Sequence, residues 1–181
     1  MTATGKAYRL TSAERDRLGL AVHEAAHALV GVLHGATVER ASLTDDGQDG
    51  ECTFTEDSFA HDHTRYRRAL VAAAGPAAAA MFHHTDRVAL RQIDAHLGAG
   101  DREELRLASL HSFSTSDEQL WTALPIVRRC WRPIGILAAK MFARHEINHD
   151  DVLAALGVTD SGGPSSVDLA RIRNGAPTHS R

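Results

Sequence analysis

From Leu18 to Leu33 every position is apolar or small except His23, Glu24 and His27. A segment that is apolar all round predicts a helix buried on every side. Thr11 followed by Glu14 gives this helix a capping-box start, and Gly35 after His34 gives it a stop. Residues Thr37 to Leu43 then alternate at strand period. Asp45-Asp46-Gly47-Gln48-Asp49-Gly50 is a turn, and Glu51-Cys52-Thr53-Phe54-Thr55 is the returning strand. That hairpin is the one β signal. Helical patterns follow over roughly 64–83, 86–97, 102–113, 117–145 and 149–156, with Pro125 and Pro133 expected to kink or divide the fourth. Residues 158–181 are poor in apolar positions and contain Gly162-Gly163-Pro164-Ser165-Ser166, so they read as a flexible tail. The expected architecture is a mainly α domain over 1–157, with a central helix and one small β-hairpin, followed by the tail.

Composition adds bounds. At 181 residues the chain suits one domain with a core of its own. A net charge of −3 with interspersed signs carries no electrostatic footprint for nucleic acid. The densest basic cluster, Arg65, Arg67 and Arg68, suits a solvated helix face. Cys52 and Cys130 are too few and too far apart for a disulfide framework or a cysteine zinc site, which points to a reducing, cytoplasmic setting. Lys6 and Arg9 are followed by no apolar segment of signal-peptide type. The alanine-rich run from Ala69 to Phe82 is interrupted by Gly75-Pro76 and is too short for a bilayer. No membrane partner is expected.

The polar trio of the first helix carries the chemistry. His23-Glu24-Ala25-Ala26-His27 is an HExxH sequence. Helical residues four apart share a face, so both imidazoles can reach one metal ion. Glu24 points about 100° away from His23, where it can act as a general base without ligating. Histidines and a glutamate in so apolar a helix would be costly to bury unless something satisfies them. The bland alternative is a pair of core histidines bonded to backbone.

A catalytic zinc site needs a third protein ligand. The metzincin spacing would require histidine at position 33, which is Leu33. His34 lies two turns beyond His27, roughly 10 Å along the axis, too far for the same ion. His61 and His63, His83 and His84, and Glu51 and Glu56 all suit exposed positions. Asp101 follows the turn Leu97-Gly98-Ala99-Gly100 and opens a helix, so it is either an N-cap or a hard-oxygen ligand. Asp94 and Glu104 are the next candidates.

The order of these features, over roughly residues 12–156, resembles the peptidase domain of the FtsH family, the zinc protease half of membrane AAA+ proteases. The resemblance rests on Val22-His23-Glu24-Ala25-Ala26-His27-Ala28-Leu29-Val30, Gly50-Glu51-Cys52-Thr53-Phe54, Ala73-Ala74-Gly75-Pro76-Ala77-Ala78, Gly98-Ala99-Gly100-Asp101 and the closing stretch from Phe142 to Leu153. Ala26 stands where the family has glycine. Pro76 and Ala79 replace its arginine and glutamate, and the turn before Asp101 is one residue shorter. The chain contains no GxxxxGK[ST] segment. The resemblance implies the fold, a Zn²⁺ ion on His23, His27 and Asp101, and Glu24 as base. It does not imply ATP-driven degradation.

The sequence therefore leads to the expectation of a zinc-dependent, ATP-independent metalloendopeptidase acting on peptides or unfolded protein segments, with homo-oligomerisation left open. The alternative is a catalytically weak, zinc-stabilised binding or regulatory module on the same fold.

Overall fold

The structure, a computed structural model, describes residues 9–59, 65–85, 87–111 and 115–178. The long helix α1, Ser12–Leu33, starts at the expected capping box. The Thr11 backbone N–H donates to Glu14 Oε2 at 2.8 Å, and Glu14 N–H donates to Thr11 Oγ1 at 3.2 Å. From Ala21 onward nearly every side chain of α1 is buried, because α2, α6 and the sheet pack around it. The buried C-terminus of this helix leaves carbonyls that need partners. Arg67 donates to the His34 carbonyl at 3.1 Å and Arg173 to that of Leu33 at 2.7 Å. Both cations also oppose the negative end of the helix dipole.

Strands β1, Val38–Leu43, and β2, Gly50–Phe54, pair antiparallel with Val38 opposite Phe54 and Leu43 opposite Gly50. A 3-10 turn, Glu56–Phe59, follows. The next helices are α2, Arg65–His84, α3, Leu90–Asp94, α4, Ala99–His111, α5, Ser116–Arg129, and α6, Trp131–Arg144. The molecule is mainly helical with a small antiparallel sheet. Among the described residues, no helix is long and apolar enough to cross a membrane.

Several elements differ from expectation, each for a local reason. The helical stretch over 117–145 divides at Cys130, as its two prolines predict, but only Pro133 marks the break. The Pro133 ring would collide with the carbonyl four residues earlier, so α5 stops and α6 restarts with Pro133 in its first turn. Pro125 is instead accommodated on the exposed side of α5. The hairpin gains a third strand, β3, Glu146–Ile147, which pairs with β1 and gives the order β2-β1-β3. His145, in the left-handed region at φ 68°, turns the chain from α6 into β3. Two residues are too few to show a period in sequence. The region expected as a tail from 158 carries α8, Val167–Arg173, after α7, His149–Leu156. Leu169 and Ile172 of α8 are buried in the main core, a correction to the tail expectation. A seven-residue helix offers only this short apolar signal within a Gly/Ser-rich stretch.

α2 is built for close approach. Ala69, Ala72, Ala73, Ala74, Ala77, Ala78, Ala79 and Ala80 are all buried, and their small side chains let α2 lie near both α1 and α5. This closeness brings Val71 and Gly75 of α2 against the histidines of α1.

Candidate metal centre

His23 and His27 occupy successive turns in the middle of α1, and their Nε2 atoms are 2.9 Å apart. Asp101 comes from the first turn of α4. Its Oδ2 lies 3.2 Å from His23 Nε2 and its Oδ1 lies 3.2 Å from His27 Nε2. Among the described residues this is the one trio of donors close enough to share an ion. α4 begins at Ala99, three residues earlier than expected, so Asp101 is an interior residue of the first turn and not the N-cap. Its contact back to the Gly98 N–H is a long 3.4 Å, so helix capping alone is a poor account of its position.

His27 is fixed from behind. Its Nδ1 is 2.7 Å from the Val71 carbonyl, which makes Nδ1 the protonated donor and turns Nε2 toward His23 and Asp101. Gly75 completes the wall. A Cβ there would stand 2.3 Å from His27 Nε2 and 2.7 Å from His23 Cδ2. Only a residue without a side chain leaves this space open. Gly50 does the same for Glu24, whose Cγ would be 2.8 Å from an added Cβ.

The electrostatics follow from burial and proximity. Burial disfavours an imidazolium at His27, but the hydrogen bond and charge of Asp101, helped by Glu24 and the Val71 carbonyl, outweigh it and raise its pKa to about 9. Burial also opposes ionisation of Asp101, yet His23 and His27 hold its carboxyl well below the usual carboxylate range. Glu24 is only 6 % exposed, and burial pushes its pKa up, aided by Asp101 and Asp49 and resisted by the two histidines. A metal-free trio thus keeps a proton where a dication would do the same electrostatic work.

The donor set fits zinc. Two imidazole nitrogens and one carboxylate oxygen form the His₂-carboxylate type of catalytic site. Metal–ligand bonds of about 2.0–2.1 Å in a tetrahedron put donors about 3.3 Å apart. The two nitrogens are 2.9 Å apart, each has one Asp101 oxygen at 3.2 Å, and one donor atom from each residue lies within 4.8 Å of the others, close enough to close on an ion after a small adjustment.

The trio lies in a cavity of about 1060 Å³ that Glu24 and β2 also line. Other residues considered as ligands are placed elsewhere. His34 caps the far end of α1, where burial and the nearby Arg173 and Arg67 lower its pKa to about 4. Asp94 pairs with Arg102 at 3.3 Å and Glu104 with Arg68 at 2.8 Å. Glu51 and Glu56 line the cavity without joining the trio. His83 also lines it, with its ring stacked on that of His96 at 5.1 Å, and His84 lies beside them. His61 and His63 lie outside the described residues. Sequence reasoning missed Val71 as the anchor of His27 and the spatial role of Gly75. The one signal for the latter was a Gly-Pro pair interrupting an alanine helix. No family model and no curated protein matches this chain.

Proposed function

We propose that the protein is a zinc-dependent, ATP-independent metallopeptidase, in which His23, His27 and Asp101 hold the metal and Glu24 is the general base. The observation that carries this reading is the convergence of His23, His27 and Asp101 inside a cleft, with the Nε2 atoms 2.9 Å apart and one Asp101 oxygen 3.2 Å from each, beside a buried glutamate outside that trio. When bound, zinc supplies Lewis acidity, lowering the pKa of water toward ~7 and polarising a carbonyl. Burial keeps the Glu24 carboxylate a better proton acceptor than an exposed one, which suits it to take the proton from the attacking water and pass it to the leaving amine. Val71 fixes the His27 ring, and Gly75 leaves room for the metal.

Among the described residues β2 is an edge strand, bonded to β1 alone, and it lines the cleft, so an extended peptide can be held there by strand addition. Peptides and unfolded segments are therefore the proposed substrates. The reading carries the FtsH-type resemblance with it as a proposal about fold. It also places the protein in a reducing compartment, in keeping with the free thiols of Cys52 and Cys130. A buried base is of no use to a purely structural zinc site, which is what favours an enzyme over a binding module. The test is Glu24→Gln, which keeps shape and both histidines. We expect the variant to retain about one zinc per chain and to lose at least ~10²-fold in hydrolysis of an unfolded protein. A parent with zinc but no chelator-sensitive hydrolysis would leave the binding module as the better reading.

A further inference from the structure

α1 and β2 both line the cleft. Gly50 sits against Glu24, and the Phe54 ring lies over Gly31, where an added Cβ would be 2.2 Å away. Phe54 and Phe59 meet edge to face at 5.3 Å. Arg68 lies over the Phe59 ring and pairs with Glu104 at 2.8 Å. Arg68 is the one arginine or lysine among the described lining residues, and that pairing neutralises it. Asp16, Asp49 and Glu51 also line the cavity, Asp49 close enough to Glu24 to act on its charge and Glu51 next to Gly50, while Glu56 lines it beyond Phe54. Among the described residues, no arginine or lysine pairs with Asp16 or Asp49. Glu51 has only Arg40 at 4.0 Å, both side chains being 59 % exposed, a contact worth little in water. Independently of these acids, β2 is an edge strand among the described residues, and its residues Gly50 to Phe54 line the same cavity.

We propose that this cleft selects extended segments that place lysine or arginine beside Asp16, Asp49 and Glu51. The proposal rests on the peptidase reading and names its substrate class. Strand addition along β2 places alternate side chains of the guest toward the cleft walls. The uncompensated carboxylates then meet a cationic side chain, whereas an acidic one meets like charge. Such a field acts chiefly through encounter and weakens with salt.

The test uses full-length Glu24→Gln, zinc-loaded, so that bound peptide stays intact. Two dye-labelled peptides share an apolar core and carry either lysines or glutamates on one flank, and binding is read by fluorescence anisotropy. The lysine peptide should bind at least about tenfold tighter at low ionic strength, with the ratio shrinking as salt shortens the screening length to about 8 Å and below. Adding Asp49→Asn and Glu51→Gln should bring the ratio toward one. Equal affinities, tighter binding of the glutamate peptide, a salt-independent ratio, or no binding of either peptide overturns the proposal. Cleavage by the parent separates the two readings. Tighter lysine-peptide binding without any cleavage keeps the selectivity and removes the hydrolase. Cleavage of both peptides with equal kcat/KM, alongside equal binding, keeps the hydrolase and removes the selectivity.

Discussion

Replacing Gly75 with alanine separates two effects that usually act together. In a helix interior, alanine is favoured over glycine by roughly 0.5–1 kcal/mol, so propensity alone predicts a more stable protein. The structure predicts the reverse. The new Cβ would lie 2.3 Å from His27 Nε2 and 2.6 Å from its Cε1, where ordinary contact begins about an ångström further out. His27 cannot simply swing aside, because the Val71 carbonyl holds its Nδ1 at 2.7 Å. Overpacking of this kind costs about 1–3 kcal/mol, which cancels or exceeds the propensity gain. The larger effect falls on the metal. A Cβ among the donors displaces ligand atoms by a large part of a bond length, and we expect zinc affinity to fall by about 10–100-fold although all three proposed ligands remain. Competition against a chromophoric chelator measures the affinity, and thermal unfolding of the metal-free protein measures the stability. Gly135 is the internal control. It is exposed in α6 with nothing within 4 Å of an added Cβ, so Gly135→Ala should raise stability by about 0.5–1 kcal/mol and leave zinc binding alone. If Gly75→Ala melts higher than the parent and binds zinc equally well, the proposed metal position is wrong.

Asp101→Asn should lower zinc affinity strongly, whereas loss of a carboxylate that merely favours a helix start would cost only about 0.3–1 kcal/mol; unchanged zinc titration with a slightly lower melting point would pass the third position to another residue. The metal-free protein should have a pH-dependent stability set by the same trio. The His27 pKa, raised to about 9, contributes stability that is complete below its ordinary 6.5 and lost as pH rises toward 9. Asp101, with its lowered pKa, contributes stability present above its ordinary 3.8 and lost as pH falls. Chemical denaturation of the metal-free protein should therefore show these contributions together between about pH 4 and 6.5, while zinc affinity climbs with pH because the His27 proton must leave; a flat profile with pH-independent zinc binding counts against the assignment. Ending the chain at residue 160 should destabilise it by several kcal/mol, because Leu169 and Ile172 leave the core at about 1.5–3 kcal/mol each and Arg173 releases the Leu33 carbonyl; an unchanged denaturation midpoint would show that α8 contributes nothing.

The sequence by itself determined what depends on near neighbours. The capping box at Thr11 and Glu14, the apolar run of α1 and the four-residue spacing of His23 and His27 are local facts, and a helix converts them into a shared face without help from the rest of the chain. The β1–β2 hairpin was legible because its alternation and turn residues are contiguous. Asp101 was a candidate among several acids, since any of them could be a helix-start or surface residue until distance decided. Tertiary structure alone carried it to 3.2 Å from both imidazoles and sent Asp94 and Glu104 to arginines. It also decided the fate of residues whose local signal was weak or misleading. β3 is two residues long and exists only because β1 offers an open edge. α8 buries Leu169 and Ile172 only because the end of α1 leaves a place for them. Gly75 reads in sequence as a helix breaker, and its function appears only when α2 packs against α1 closely enough that a single methyl group would occupy the space between two histidines. Periodicity and capping act over one or two turns, whereas a metal centre is a coincidence in space of groups far apart in the chain, and only the packed core fixes that coincidence.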